Sequence, residues 1–509
     1  MIPRPNLRLL AFLVVALPVA ATAATSELWG VYGELWTPQS RLPDFSHAGY
    51  HCGEVPLPDV PPGVSVKTFG AKGDGVTDDT DAFLKAIAAT QHGAIEIPAG
   101  RYRITRILEI KRSGVVLRGA GSDKTILYFP TPLQTVKPDW SATTTGLRTS
   151  NYSWAGGFIW FKGGYGSARL ANVVAPAQRG DQSLRVSGAA KLRVGQRVEI
   201  HLQEANTHSN TLADELYSGD PGNTTNLLGS TVVSLVVRIT RIAGDAIYFD
   251  RPLRCNVKLE WKPCIREFAP TLSESGVQDL CFEFPNTPYL GHFKEVGFNA
   301  VAFSAVADCW ARNLVITNSD SGIFPGGDFC TIQNIVLESA RPLDPVLRCT
   351  GHHGIDFTGN DNLLTNFDFR TRFIHDVSVD HCASGNVVTG GKGIDLCLDH
   401  HCRAPCENLF TDLDAGAGTR LWTSSGGEAL GKHCAARGTF WNIRAAQPQR
   451  YPPDAFGPPS MNFIALQTDS PSEKNSSGRW FEAIPPAEIS PRDIHAAQLE
   501  RRLNSEQGR

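Results

Sequence analysis

Val64-Ser65-Val66-Lys67-Thr68-Phe69-Gly70-Ala71-Lys72-Gly73-Asp74-Gly75-Val76-Thr77-Asp78-Asp79-Thr80-Asp81-Ala82-Phe83, followed by Gly93-Ala94-Ile95-Glu96-Ile97-Pro98-Ala99-Gly100-Arg101-Tyr102 and Gly114-Val115-Val116-Leu117-Arg118-Gly119-Ala120-Gly121, decides the fold. A short strand ends at Phe69-Gly70-Ala71 and a turn passes through Asp74-Gly75. Asp78 or Asp79 can then cap a helix from Thr80 whose Phe83, Leu84 and Ile87 share one face. Ile95, Ile97, Ile104, Ile107, Leu108 and Ile110 form short β-branched runs cut by Gly and Pro. Such runs predict stacked strands, and an apolar-faced helix suits their first, unpaired edge.

In its order of strand, Gly-Asp turn, helix and Pro-Ala-Gly strand end, this stretch resembles the opening of the pectate-lyase superfamily. The resemblance implies an all-β chain folded as a right-handed parallel β-helix, with an N-terminal capping helix. It also implies action on acidic polysaccharides. The phrase Leu42-Pro43-Asp44-Phe45-Ser46-His47-Ala48-Gly49-Tyr50 is similar to the lead-in of some members, where it packs along the helix or lines the cleft; His47 and Tyr50 are outlying site candidates.

Working outward, the coil pattern recurs from Val277. Asparagine precedes an apolar pair at Asn313, Asn334, Asn362, Asn386, Asn408 and Asn442. The steps 313–334, 362–386 and 386–408 span 21, 24 and 22 residues, the length of one solenoid coil. Stacked amide ladders are the expected role. Between 183 and 253, alternating runs with Gly-Asp turns predict an antiparallel β-domain set between coils. The resulting division is a signal peptide over 1–23, a Pro-rich lead-in over 24–63 and first coils over 64–168. An inserted domain follows over 169–258, the main helix with its cleft over 259–450, and a tail over 451–509 that closes in an amphipathic helix.

Arg4 and Arg8, an apolar run from Leu9 to Leu17 and Ala21-Thr22-Ala23 read as an export signal, which predicts a secreted or periplasmic protein. The run is too short to span a membrane. Loss of Arg4 and Arg8 takes the formal charge from -3 to -5, a weak and mixed balance that argues against nucleic acid. A monomer is expected. Twelve cysteines in an exported chain predict disulfides. Cys397, Cys402 and Cys406 around Asp399, His400 and His401 superficially resemble a zinc cluster, but match no four-ligand spacing.

A β-helix core is packed with side chains, so chemistry must use outward groups on adjacent coils, about 4.8 Å apart. Residues 351–422 hold six of the fourteen histidines. β-Elimination beside a uronate carboxyl needs a base, an acid for the departing oxygen and donors that neutralise the carboxylate. Lys392, set between two glycines, is the expected base; Arg372 and Arg403 are expected carboxylate clamps. His381 and His400 are proton-transfer candidates, with His353 in its Gly-His-His-Gly phrase beside them. Arg370, His375, Asp399, Arg420 and Trp422 complete the expected substrate contacts. No metal set is readable, although Asp380, Asp399, Asp412 and Asp414 supply oxygen that would suit Ca2+.

Two other functions fit less of the chain. Polygalacturonase-like hydrolysis would use Asp320, Asp328 and His352, but these aspartates are closer together than one coil. A non-catalytic polysaccharide-binding solenoid would use Trp310, Trp422 and Trp441 as platforms, and these are scattered.

Overall fold

The computed structural model describes residues 24–143, 145–469 and 478–507. The expected signal over 1–23 lies outside the described residues. Two parallel sheets build the expected β-helix. One has seven strands in chain order: β1 (Leu108–Ile110), β2 (Ile159–Lys162), β3 (Asn299–Ala307), β4 (Ser321–Asp328), β5 (Gly351–Phe357), β6 (Phe373–Val379) and β7 (Leu398–His400). The larger sheet begins at Pro62–Ser65, passes through Trp310–Thr317, Thr331–Glu338 and Leu363–Phe369, and ends at Trp480–Glu482.

Alternation sorts the side chains. Ile355, Val377 and Leu398 are aligned on successive coils and belong to one apolar core. Farther along, Phe410, Phe440, Phe463 and Phe481 stack with centroids 5.2–5.4 Å apart. Strands of the larger sheet bend where Asp279, Asn313, Asn334 and Asn366 occupy matching positions with positive φ. Asn and Asp tolerate that left-handed backbone better than branched residues do. They also bond along the column: the Asn313 amide donates to Asp279 (2.6 Å) and that of Asn334 to Asn313 (2.7 Å). A second, fully buried ladder runs Asn362 to Asn386 to Asn408, with amide bonds of 3.0 Å at both steps.

Helix α1 (Thr80–Ala89) buries Ala82, Phe83 and Ala86, with Phe83 set edge-on to Tyr102 at 5.4 Å. Asp78, not the N-cap residue Asp79, accepts from the Thr80 amide; Asp79 accepts from Lys72 and Gly73 in the preceding turn. Six antiparallel strands from Arg169–Val173 to Cys264–Glu267 close into a barrel with its own core, so its last strand lies beyond the expected boundary at 258. The barrel is pinned to the coils by Arg251 and Arg254, which both bond Asp361.

The lead-in is a strap. Its Leu28, Trp29, Leu42, Phe45 and Ala48 pack on Val387, Leu409, Trp441 and Ile464. The closing helix α2 (Ile494–Gln507) locks it: Gln498 donates to the Pro43 carbonyl and accepts from the Phe45 amide. Among the described residues no helix is long and apolar enough to cross a membrane. No disulfide joins the cysteines among the described residues. All twelve are free thiols and ten are buried, where they fill space as small apolar side chains.

Candidate functional site

The site forms on the outer face of β5, β6 and β7. Asp356, Ser378 and Asp399 are in register on three successive coils, one position past the core row of Ile355, Val377 and Leu398. His353 and His375 are paired partners on β5 and β6. His352 lies beside His353, with ring centroids 4.1 Å apart. His401, just past β7, brings its ring to 5.1 Å from His375 and 6.1 Å from His353. The irregular segment before β3 closes the cluster from one side: His292 lies 4.8 Å from His352, and Glu295 Oε1 is 3.3 Å from His352 Nδ1.

Electrostatics divide these groups. Burial opposes charge on His401, but Asp399 Oδ2, 2.8 Å from Nδ1, overrides it and pushes the ring up to about 9. Burial holds His375 down at about 4, with the charge of Asp399 partly opposing it. It also holds His352 and His353 well below the ordinary value, and neighbouring histidines add to the shift. Asp356 is pushed up to about 7 by burial and then by the charge of Asp380. Burial likewise raises Glu295 to about 7, although Tyr289 and Ser153 donate to its carboxylate. Cationic and neutral imidazoles therefore stand side by side with two carboxyls that retain protons near neutrality.

The residues picked from sequence divide by location. His353, His375 and Asp399 belong to this buried cluster. His381 and Arg403 pair with each other at its edge, and His381 Nδ1 lies 2.7 Å from Asp380. His400 faces the opposite way from Asp399 and His401. It is fully buried among Phe410, Phe440 and Phe456, with Nδ1 bonded to the Leu398 carbonyl. Lys392 and Arg370 are on the larger sheet, both against Asp368, at 3.8 and 3.0 Å. Lys392 lines a separate groove of about 490 Å³ with Asp412, Asp414 and Arg444. Arg372 pairs with Asp395, and Arg420 ties Asp376 to the Phe373 carbonyl. Trp422 packs edge-on to Phe440, Phe456 and Phe463.

The expected platforms Trp310 and Trp441 are fully buried. Asp320 is consumed by Arg341 and the Gly297 and Phe298 amides, and Asp328 by Asn360. His47 is buried beside Asp44, and Tyr50 donates to Glu274. Sequence reasoning passed over His292, Glu295 and Asp356 and met His401 only in the zinc-like cysteine cluster, not as a site candidate. His401 was within reach, because residues two apart on a strand share a face. His292 and Glu295 sit in a segment with no period to read.

Three groups of described residues place three possible ligand atoms within 4.8 Å of one another: His292, His352, His375; His375, Asp399, His401; and His51, Glu274, Asp308. The last is internally satisfied, with Glu274 on His51 and Tyr50 and Asp308 on Arg197. The four aspartates suggested for calcium do not gather: Asp412 and Asp414 lie on the larger sheet, and Asp412 is paired with Arg444. Cys397, Cys402 and Cys406 belong to none of the three groups.

Residues 63–151 match the family model described as Rhamnogalacturonase A/epimerase, pectate lyase-like, so the resemblance read from Val64 to Gly121 holds. The pre-neck appendage protein of Bacillus phage B103 is 48% identical over 67 residues, which is 13% of this chain and 7% of that protein. Alginate lyase 7 of Azotobacter vinelandii is 43% identical over 72 residues, 12% of this chain and 8% of that protein. The chain thus spans less than a tenth of either relative's length. The tailspike protein gp49 from Pseudomonas phage LKA1 covers 79% of this chain and 66% of its own at 12% identity, with a TM-score of 0.46. The histidine pocket, from His292 to His401, lies outside the residues matched by the family model.

Proposed function

We propose that this chain is a polysaccharide lyase that cleaves an anionic, uronate-containing polysaccharide by β-elimination at the histidine cluster. The observation that carries the reading is His401, made cationic by Asp399, set 6.1 Å ring to ring from the neutral His353. Elimination needs that pairing. The cation offsets charge growing on the uronate carboxylate as the adjacent carbon loses its proton, and the neutral imidazole takes that proton. As the carbon–oxygen bond on the next carbon breaks, its electron pair leaves with oxygen and a double bond forms in the ring. The Asp356 carboxyl, protonated near neutrality, supplies a proton to that oxygen. Arg403 and His381 at the edge offer further donors to acidic sugars.

The alginate-lyase relative supports the substrate class, and a substrate of this kind fits a secreted or periplasmic setting. Hydrolysis is the second reading. Asp356 and Asp399 lie two coils apart, about 9.6 Å along the axis, which approaches the spacing of an inverting pair. One is proton-bearing and the other is held ionised by its histidines.

Incubation with alginate, pectate, glucuronan and glycosaminoglycans separates the two. A rise in the ultraviolet absorbance of unsaturated uronate on one substrate is the expected result. New reducing ends without that rise would move the pocket to hydrolysis. Neither signal on any acidic polysaccharide would refute both.

A further inference from the structure

We infer that the pocket binds a divalent first-row transition ion on His292, His352 and His375. Nitrogens from these three rings already lie within 4.8 Å of one another, contributed by two neighbouring strands and the segment before β3. Tetrahedral zinc with Zn–N bonds of about 2.0–2.1 Å needs donors roughly 3.4 Å apart. The trio therefore has at most about 1.4 Å to close. His352 and His375 are fixed in the sheet, whereas His292 is half-buried on irregular chain and stacked only on the adjacent Phe293. Rotation of His292 supplies the closure.

The independent observation is a shortage of partners. Both ring nitrogens of His375 are buried without a hydrogen bond, and so is Nδ1 of His352, which has only Glu295 Oε1 nearby at 3.3 Å, outside bonding geometry. Buried polar atoms are nearly always satisfied in folded proteins. An unprotonated imidazole nitrogen presents a lone pair, and a divalent cation is a partner that the nitrogens of the trio can share. Asp399 Oδ2 stands 3.4 Å from His375 Nδ1, where a carboxylate can orient the ring and leave Nε2 for the ion. Imidazole donors without carboxylate in the trio favour zinc, nickel or copper over calcium or magnesium.

The test needs no substrate, so it stands or falls apart from the lyase assay. The full chain is stripped with EDTA, titrated with zinc chloride by calorimetry, and assayed for retained metal after gel filtration. About one zinc per chain is expected, with His292→Ala weakening affinity at least about tenfold while the circular dichroism spectrum is unchanged. His352→Ala should do the same, and His292→Ala keeps the test informative if that buried variant fails to fold. His401→Ala should retain zinc. No retained zinc would overturn the inference. So would zinc that survives His292→Ala but is lost in His401→Ala, since the ion would then belong to the His375, Asp399 and His401 group.

Discussion

Asp361→Asn tests how the barrel is held against the coils. The Asp361 carboxylate accepts two bonds of 2.9 Å from Arg251 and a third from Arg254, and all three side chains are almost wholly buried. Arg254 also reaches the Ser384 hydroxyl at 3.0 Å, so this one carboxylate links the barrel to two coils. Removing one partner of a buried ion pair costs about 3–5 kcal/mol, because the remaining charge stays buried without compensation. Asparagine keeps the shape and one acceptor, which places the expected loss near the lower end, about 3 kcal/mol. The pH dependence has a definite sign. Burial alone would raise the carboxyl, but the charges of Arg251 and Arg254 outweigh it and hold Asp361 below its usual 3.8. A depressed carboxylate contributes its stability in full above that unfolded value and loses it as pH falls through the folded one. Urea unfolding of both proteins should therefore show a wide gap at neutral pH that narrows in acid. Hydrogen exchange should show protection lost first in the barrel strand Val232–Ala243. An equal gap at both pH values, or none, would refute the reasoning.

Three further outcomes are expected. His353→Gln should lower lyase turnover by about a hundredfold while Lys392→Ala leaves it unchanged, both read by ultraviolet absorbance on the responsive substrate. His400→Leu should shift stability by less than about 1.5 kcal/mol and keep activity, since the ring is packing against phenylalanines; a large activity loss would return it to the pocket. Asn386→Ala should cost about 1–3 kcal/mol, because the backbone and side-chain amides of Asn362 both lose their acceptor. Faster exchange of the Asn362 amide would report that loss directly.

The architecture was legible because it is periodic. β-Branched runs and asparagines spaced by one coil are local signals, and they located the helix from Thr80, the coils and the ladders. The pocket was half legible. The segment dense in histidine supplies most of the cluster on which the proposed function rests, and His353, His375 and Asp399 lie in it. Assigning faces within the segment failed because a coil carries two sheets, and sequence distance does not say which sheet a residue joins. Lys392 and His375 are only seventeen residues apart yet lie on different sheets. His400 and His401 are adjacent yet face opposite ways, since strand parity separates neighbours. His292 and Glu295 reach the pocket by a long-range closure that no local pattern encodes.

The strap also carries a consequence for synthesis. Phe45 finds its partner, Gln498, 453 residues farther along the chain. At translation rates of about 5–20 residues per second, the ribosome needs roughly 20 to 90 seconds to deliver that partner. Throughout this interval Leu28, Trp29 and Phe45 lack α2, and for most of it they also lack Val387, Leu409, Trp441 and Ile464. Fastening of the strap thus waits on α2, and removal of Ile494–Gln507 would leave Phe45 and Pro43 without their Gln498 partner.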